Sequence, residues 1–309
     1  MPEDWLAVSL RFALYLDLMV LFGVSLFSVY GLGTADRSSA ISRLYGGVAE
    51  GSALAGIMLS IWNVVTMAES MTGATRYGQL TSHVFNMILT GTAVGAAWLV
   101  RVAALTSGLL MAIAWRRGAR HQPIRLAASG AIALATLAWA GHGAMDDGLR
   151  GALHLAADIV HLLAAGMWVG ALVAFVLLSS AERASTPDTV QTLSRAASGF
   201  ATIGTCIVGM LIATGVVNYV LVAGTSFDAL FTTPYGWLLL GKLALFVLML
   251  ALAAGNRYRL SPRLAAAIRA GDSTRAVKAL HNSLRAETCL AMLILALVAW
   301  LGMLSPLPA

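Results

Sequence analysis

The sequence predicts an all-α polytopic membrane protein with about eight transmembrane helices. Three observations carry that prediction. Apolar runs long enough to cross a bilayer, about 20 residues each, recur along the whole chain. Only 11% of residues are charged and 59% are hydrophobic, whereas soluble domains carry roughly 25% charged residues. The segments between the runs alternate in charge. A chain this poor in charge cannot cover a water-facing globule, and no hydrophilic stretch is long enough for a soluble domain. Residues 1–309 therefore read as a single membrane domain embedded in the lipid bilayer.

The first run, 5–31, begins at Trp5 behind Glu3 and Asp4 rather than behind a basic segment, and no small-residue cleavage site follows. It is expected to stay as a span rather than leave as a signal peptide. The remaining helices are expected at 46–68, 86–114, 126–141, 152–178, 198–222, 235–255 and 284–304. One set of connections holds Arg37 and Arg43, then Arg116, Arg117, Arg120 and Arg125, then Arg183 and Arg195, and finally the basic stretch 257–285; the other holds only Arg76 and Arg150. The positive-inside rule assigns the first set to the cytoplasm and both termini to the periplasm. The isoelectric point near 9.7 follows from this sidedness and is no argument for nucleic acid. Within 257–285, stretches 263–269 and 274–285 suit short interfacial helices beside anionic headgroups.

The helices also suggest a 4+4 parallel repeat, with units at 1–145 and 146–309. Gly51-Ser52 and Gly56 match Gly204-Thr205 and Gly209. Trp98-Leu-Val-Arg101-Val-Ala-Ala-Leu105 resembles Leu239-Leu-Gly-Lys242-Leu-Ala-Leu-Phe246, which puts a cation at one position in each copy. Trp139-Ala-Gly141-His142 parallels Trp300-Leu-Gly302-Met303. Repeats of this kind commonly place function between their halves.

Charges inside a bilayer cost several kcal/mol unless paired or hydrated, so each needs an account. Asp17 and Arg101 fall at similar depth and suit an ion pair; Asp158 and Lys242 suit a second. Glu50 and Glu287 sit near cytoplasmic ends, within reach of water. His121 and His281 fall in basic loops and are expected to be solvated. The other four histidines, His83, His142, His154 and His161, fall at or just inside the periplasmic side. His154, Asp158 and His161 follow i, i+4, i+7 spacing and share one helical face, which descends about 10 Å. His142 returns near its top. Imidazole binds copper, zinc, iron or nickel, and thioether sulfur favours Cu(I). Met145 and Met303 accompany the histidines, as do Met67, Met71 and Met87 around His83, although most of the 13 methionines are expected to fill helix packing. His142, His154, His161, Met145, Met303 and His83 are thus the candidate metal ligands, with Asp158 placed to orient a histidine. Cys206 and Cys289 lie inside apolar runs and are expected to act as small hydrophobes.

At the fifth helix the sequence resembles a known family. His161-Leu-Leu-Ala-Ala-Gly-Met-Trp168-Val-Gly170, Thr214-Gly-Val-Val-Asn218, Thr233-Pro-Tyr235-Gly236 through Lys242, Asn256-Arg257 through Pro262, Leu284-Arg-Ala-Glu287 and Leu301-Gly-Met-Leu-Ser-Pro306 together resemble the CopD family of bacterial copper-resistance and copper-homeostasis membrane proteins. The resemblance covers the second half in detail and the first half mainly in span pattern. It implies a multi-pass protein of the bacterial inner membrane that imports copper from periplasm to cytoplasm, with a small periplasmic CopC-like copper-binding protein as partner. No phosphate-cradling Gly-x-x-x-x-Gly-Lys segment is present, so transport is expected to be passive or gradient-coupled rather than ATP-driven. The expected function is a copper permease rather than an enzyme. The alternative from the same residues is a b-type haem protein transferring electrons, a copper reductase among the options, with these histidines as axial ligands.

Overall fold

The computed structural model describes residues 5–33, 40–73, 80–119, 122–141, 148–180, 186–224 and 228–304. The described residues form α1 (Trp5–Tyr30), α2 (Ala40–Thr72), the short α3 (Ser82–Gly91), α4 (Ala93–Arg116), α5 (Gln122–Ala135), α6 (Gly148–Leu178), α7 (Pro187–Ala223), the short α8 (Asp228–Thr232), α9 (Pro234–Gly255), α10 (Ser261–Arg269) and α11 (Thr274–Leu301). A 3-10 turn, Thr136–Ala140, extends α5, and a π turn, Asn256–Leu260, joins α9 to α10. Eight of these helices are long and apolar enough to cross a membrane. The order of long, long, short and long helices runs through α1 to α4 and again through α6 to α9, with α5 and α11 closing each series.

The core is built around α1. Leu14, Leu18, Leu21, Val24 and Phe27 are buried where α1 packs on α2, α5, α6 and α11. Its closest neighbour is α6. A Cβ on Gly170 would lie 2.2 Å from Gly23 Cα, and one on Gly23 only 2.7 Å from Gly170 Cα. Lipid supplies no hydrophobic drive between helices, so backbone proximity allowed by small residues is what lets such a pair gain dispersion contact. Phe27 then packs edge-on against Phe175 of α6 and Tyr45 of α2, and the Tyr45 hydroxyl donates to the Ala174 carbonyl at 3.0 Å.

The two helix series differ in packing. α2 packs closely along α4, whereas α7 and α9 barely touch, and α7 reaches the α9–α10 arm mainly through the π turn and α10.

Where the helix ends differ from expectation, local chemistry explains the difference. The run 86–114 is broken at Thr92, whose extended backbone (φ −129°, ψ 149°) ends α3. Its hydroxyl then caps α4 by accepting from Gly95 N at 2.9 Å. Thr233 caps α9 in the same way, accepting from Gly236 N at 3.0 Å. Arg101 and Lys242 each follow their cap by nine residues. The stretch 257–285 is not an open loop. The π turn carries α9 straight into α10, and 274–285 is the first part of α11 rather than a separate helix. Helical propensity with Arg275, Lys278 and Arg285 on an exposed face allows that continuation. His281, expected to be solvated, instead bonds through Nδ1 to Ser179 Oγ at 2.9 Å. Glu50 does reach the surface, in a 2.7 Å ion pair with Arg116.

The two caps give a graded expectation. Thr92→Ala and Thr233→Ala should each cost about 1 kcal/mol. Thr81→Ala, at a helix start with no side-chain cap bond, should cost little. Unfolding midpoints in mixed micelles measure all three.

Candidate functional site

The face of α6 holding His154, Asp158 and His161 meets a matching face of α7. Asn218 Nδ2 donates to Asp158 Oδ1 at 2.7 Å. His161 Nδ1 and Thr214 Oγ1 lie 2.9 Å apart. Thr214 donates its own hydroxyl proton to the Met210 carbonyl at 2.6 Å. With that proton on the Met210 carbonyl, the hydroxyl accepts from His161 Nδ1, an assignment that leaves Nε2 its lone pair. That is the tautomer a metal-binding histidine needs, held by an outer hydrogen bond. Thr214 and Asn218 are spaced i, i+4, which puts both on one stripe of α7. α9 contributes two further polar groups. Lys242 lies near enough to Asp158 and to His161 to act on both electrostatically, and Tyr235 lies near Asp158.

The 3-10 turn approaches the same place: a Cβ on Gly141 would sit 3.5 Å from Asp158 Oδ2. The next residue, His142, lies outside the described residues, as does Met145. His154 is fully inside the protein, 2% exposed. Among the described residues no three His, Cys, Asp or Glu side chains gather closely enough to hold a metal ion.

The other expected ligands lie elsewhere. His83 is exposed on α3. Met303 is exposed, and its sulfur lies 3.9 Å from the Arg11 guanidinium, an unfavourable neighbour for a bound cation. Arg11 also donates to the carbonyls of Gly302 at 2.8 Å and Ala140 at 2.7 Å. It thus ties the C-terminal ends of α11 and the 3-10 turn to α1, where helix carbonyls lack partners. Cys206 and Cys289 are both exposed on the bundle surface rather than buried.

The expected Asp17–Arg101 ion pair gives way to separate neutral partners. Asp17 bonds Ser52 and faces Gly56, whose added Cβ would lie 2.7 Å from Asp17 Oδ2. Arg101 donates through Nε to Thr136 Oγ1 at 2.8 Å. Depth along the membrane was similar, but the two side chains leave their helices toward different neighbours. Arg101 is 3% exposed and lines a 140 Å³ cavity with Arg11, Tyr15, Asn63, Met67 and Met303. Sequence reasoning missed Arg11, and it named Thr214 and Asn218 only as family-like residues, not as site residues. The i, i+4 polar pair on α7 was the available signal for the last two.

Eight spans with a polar seam on three of them define a multi-pass membrane protein. Family comparison makes that class specific. Residues 1–152 match the model described as copper resistance protein D-like, N-terminal domain, and residues 194–301 match the model for copper resistance protein D. Copper resistance protein D of Pseudomonas syringae pv. tomato is 44% identical over 305 residues, covering 98% of both chains. Inner membrane protein YebZ of Escherichia coli K12 is 25% identical over 311 residues, covering 97% of this chain and 98% of that one. Copper transport protein CutJ of Bacillus subtilis 168 is 35% identical over 119 residues, 38% of this chain and 21% of CutJ. No solved structure matches. The chain belongs to the copper resistance protein D family and is a multi-pass protein of the inner membrane. The family signature extends through the first half, beyond the span pattern that sequence reasoning found there.

Proposed function

We propose that this protein is a copper permease whose cargo site lies between α6, α7 and α9, near the end of the bundle that carries Trp5. The observation behind this reading is the Met210–Thr214–His161 relay, which with the threonine proton on the Met210 carbonyl presents His161 Nε2 as the metal-binding nitrogen. His154, one turn beyond Asp158 on the same face, supplies a second imidazole. His142 and Met145, in the segment that follows Gly141, complete the ligand set. Copper is the cargo. It arrives from the periplasm, handed over by a small CopC-like copper-binding protein, and passes toward the cytoplasm. Asp158 balances its charge, and Lys242 balances Asp158 when cargo is absent. The units 1–145 and 146–309 act as parallel repeats, the first as scaffold and the second as carrier of the site.

The experiment is copper binding and uptake with purified protein in liposomes. The wild-type protein should bind about one equivalent of copper, and His161→Ala and His154→Ala should lose it while staying folded. Thr214→Val should weaken binding by about 10-fold, the effect of losing an outer hydrogen bond to a ligating histidine. Unchanged stoichiometry in both histidine variants would remove α6 from the site. Iron with a Soret band in place of copper would overturn the permease reading in favour of haem.

A further inference from the structure

A second polar cluster lies at the opposite end of the bundle, and copper ligation leaves it unexplained. Three of the family-like segments converge there. Trp168 comes from α6, Asn256 opens the π turn, and Glu287 comes from α11. All three are buried, at 5%, 8% and 3% exposure. Asn256 Nδ2 donates to Glu287 Oε2 at 2.8 Å, but Asn256 Oδ1 has no partner and neither does Trp168 Nε1. The indole N–H lies beside the Glu287 carboxylate without reaching hydrogen-bond geometry. An unmade hydrogen bond at a buried group costs about 1–3 kcal/mol, so two together with a carboxylate mark a place that something else completes.

These groups end a cavity of 250 Å³. Its walls are apolar and aromatic, with Phe175 and Phe200 meeting edge to face at 5.5 Å and Leu250 opposite. It lies where α7 and α9 stand apart, so it opens sideways toward lipid. Arg257 stays at the rim, held by the Ala201 carbonyl at 3.0 Å and by Thr205. The π turn is what swings Asn256 inward, and such turns recur at functional sites.

The occupant must satisfy opposite demands. It needs a flat apolar body for the aromatic walls and a head that both donates, to Asn256 Oδ1 or Glu287, and accepts, from Trp168. A lipid acyl tail would leave all three polar groups dry. A metal cation finds an N–H donor pointing at it, and a fatty carboxylate would face the Glu287 carboxylate. A phenolic hydroxyl meets every demand. The volume is below the roughly 300–1,000 Å³ of pockets for drug-sized ligands, which suits one ring with its tail left in the bilayer. We propose that this cavity binds the ring of a membrane-soluble hydroquinone, held by Trp168, Asn256 and Glu287, with the tail leaving between α7 and α9.

The test uses the full-length protein in quinone-free lipid nanodiscs, titrated with the decyl-chain ubiquinol and, separately, with its oxidised quinone. The quinol should saturate at one equivalent. The quinone lacks the hydroxyl donor and should bind about 10-fold more weakly, the effect of one hydrogen bond to a buried acceptor. Trp168→Phe keeps the ring but removes the N–H, and should weaken both forms. Glu287→Gln should narrow the gap between them. If Glu287→Gln does not fold, the quinol–quinone ratio and Trp168→Phe still decide the matter. Absence of saturable binding, equal affinity for the two redox forms, or unchanged binding in Trp168→Phe would each overturn the assignment. So would solvent extraction that recovers only phospholipid from the occupied cavity.

Discussion

Gly170→Leu should remove the folded bundle, with a loss of about 3 kcal/mol or more, the upper range for overpacking. At this position even a methyl group has no room. A Cβ on Gly170 would lie 2.2 Å from Gly23 Cα and 2.6 Å from Val24 N. Those atoms are backbone and cannot rotate away, so α1 and α6 would have to separate. Separation would also undo Phe27 against Phe175, which relies on the same approach. Gly170→Ala should cause a smaller loss of the same kind. Gly51→Ala and Gly209→Ala are the controls, because a Cβ at either meets nothing within 4 Å. Monodispersity on size exclusion and unfolding midpoints in mixed micelles measure the series. A stable Gly170→Leu would mean that the halves are not joined through this crossing.

The contrast between Gly170 and Gly51 shows how far the sequence could be read. Span number and approximate position follow from composition and run length, because a bilayer imposes one period and one minimum length. Helix ends were less legible. Nothing in a hydropathy profile marks Thr92 as a break, since a single threonine's extended backbone and cap decide it. The polar face of α6 was legible because His154, Asp158 and His161 lie on one helix and their spacing is fixed by its geometry. What those residues touch on α7 and α9 was not, because side-chain partners between helices depend on rotation about each axis. Depth alone paired Asp17 with Arg101, yet Ser52 and Thr136 take those roles. Glu287 illustrates the same limit. Its position near a helix end suggested access to water, but the π turn covers it with Asn256.

Asp158→Asn and Lys242→Met should each destabilise the protein by about 1 kcal/mol, the scale of an electrostatic interaction between partly exposed opposite charges. The double variant should recover most of that loss. Lys242 of α9 and Asp158 of α6 attract one another electrostatically, and removing both charges removes the desolvation problem with the attraction. The coupling energy from the double-mutant cycle is therefore the quantity to measure. The corresponding cycle in the first half should behave differently. Arg101 is held by Thr136 and Asp17 by Ser52, so Arg101→Met and Asp17→Asn should add without rescue. Transport separates the structural role from the proposed functional one. The Asp158→Asn, Lys242→Met double variant should be folded yet slow in copper uptake, because the charge that balances the cargo is gone. Wild-type uptake by that folded double variant would confine the pair to a structural role and leave His154 and His161 as the described α6 groups on this face for the cargo to meet.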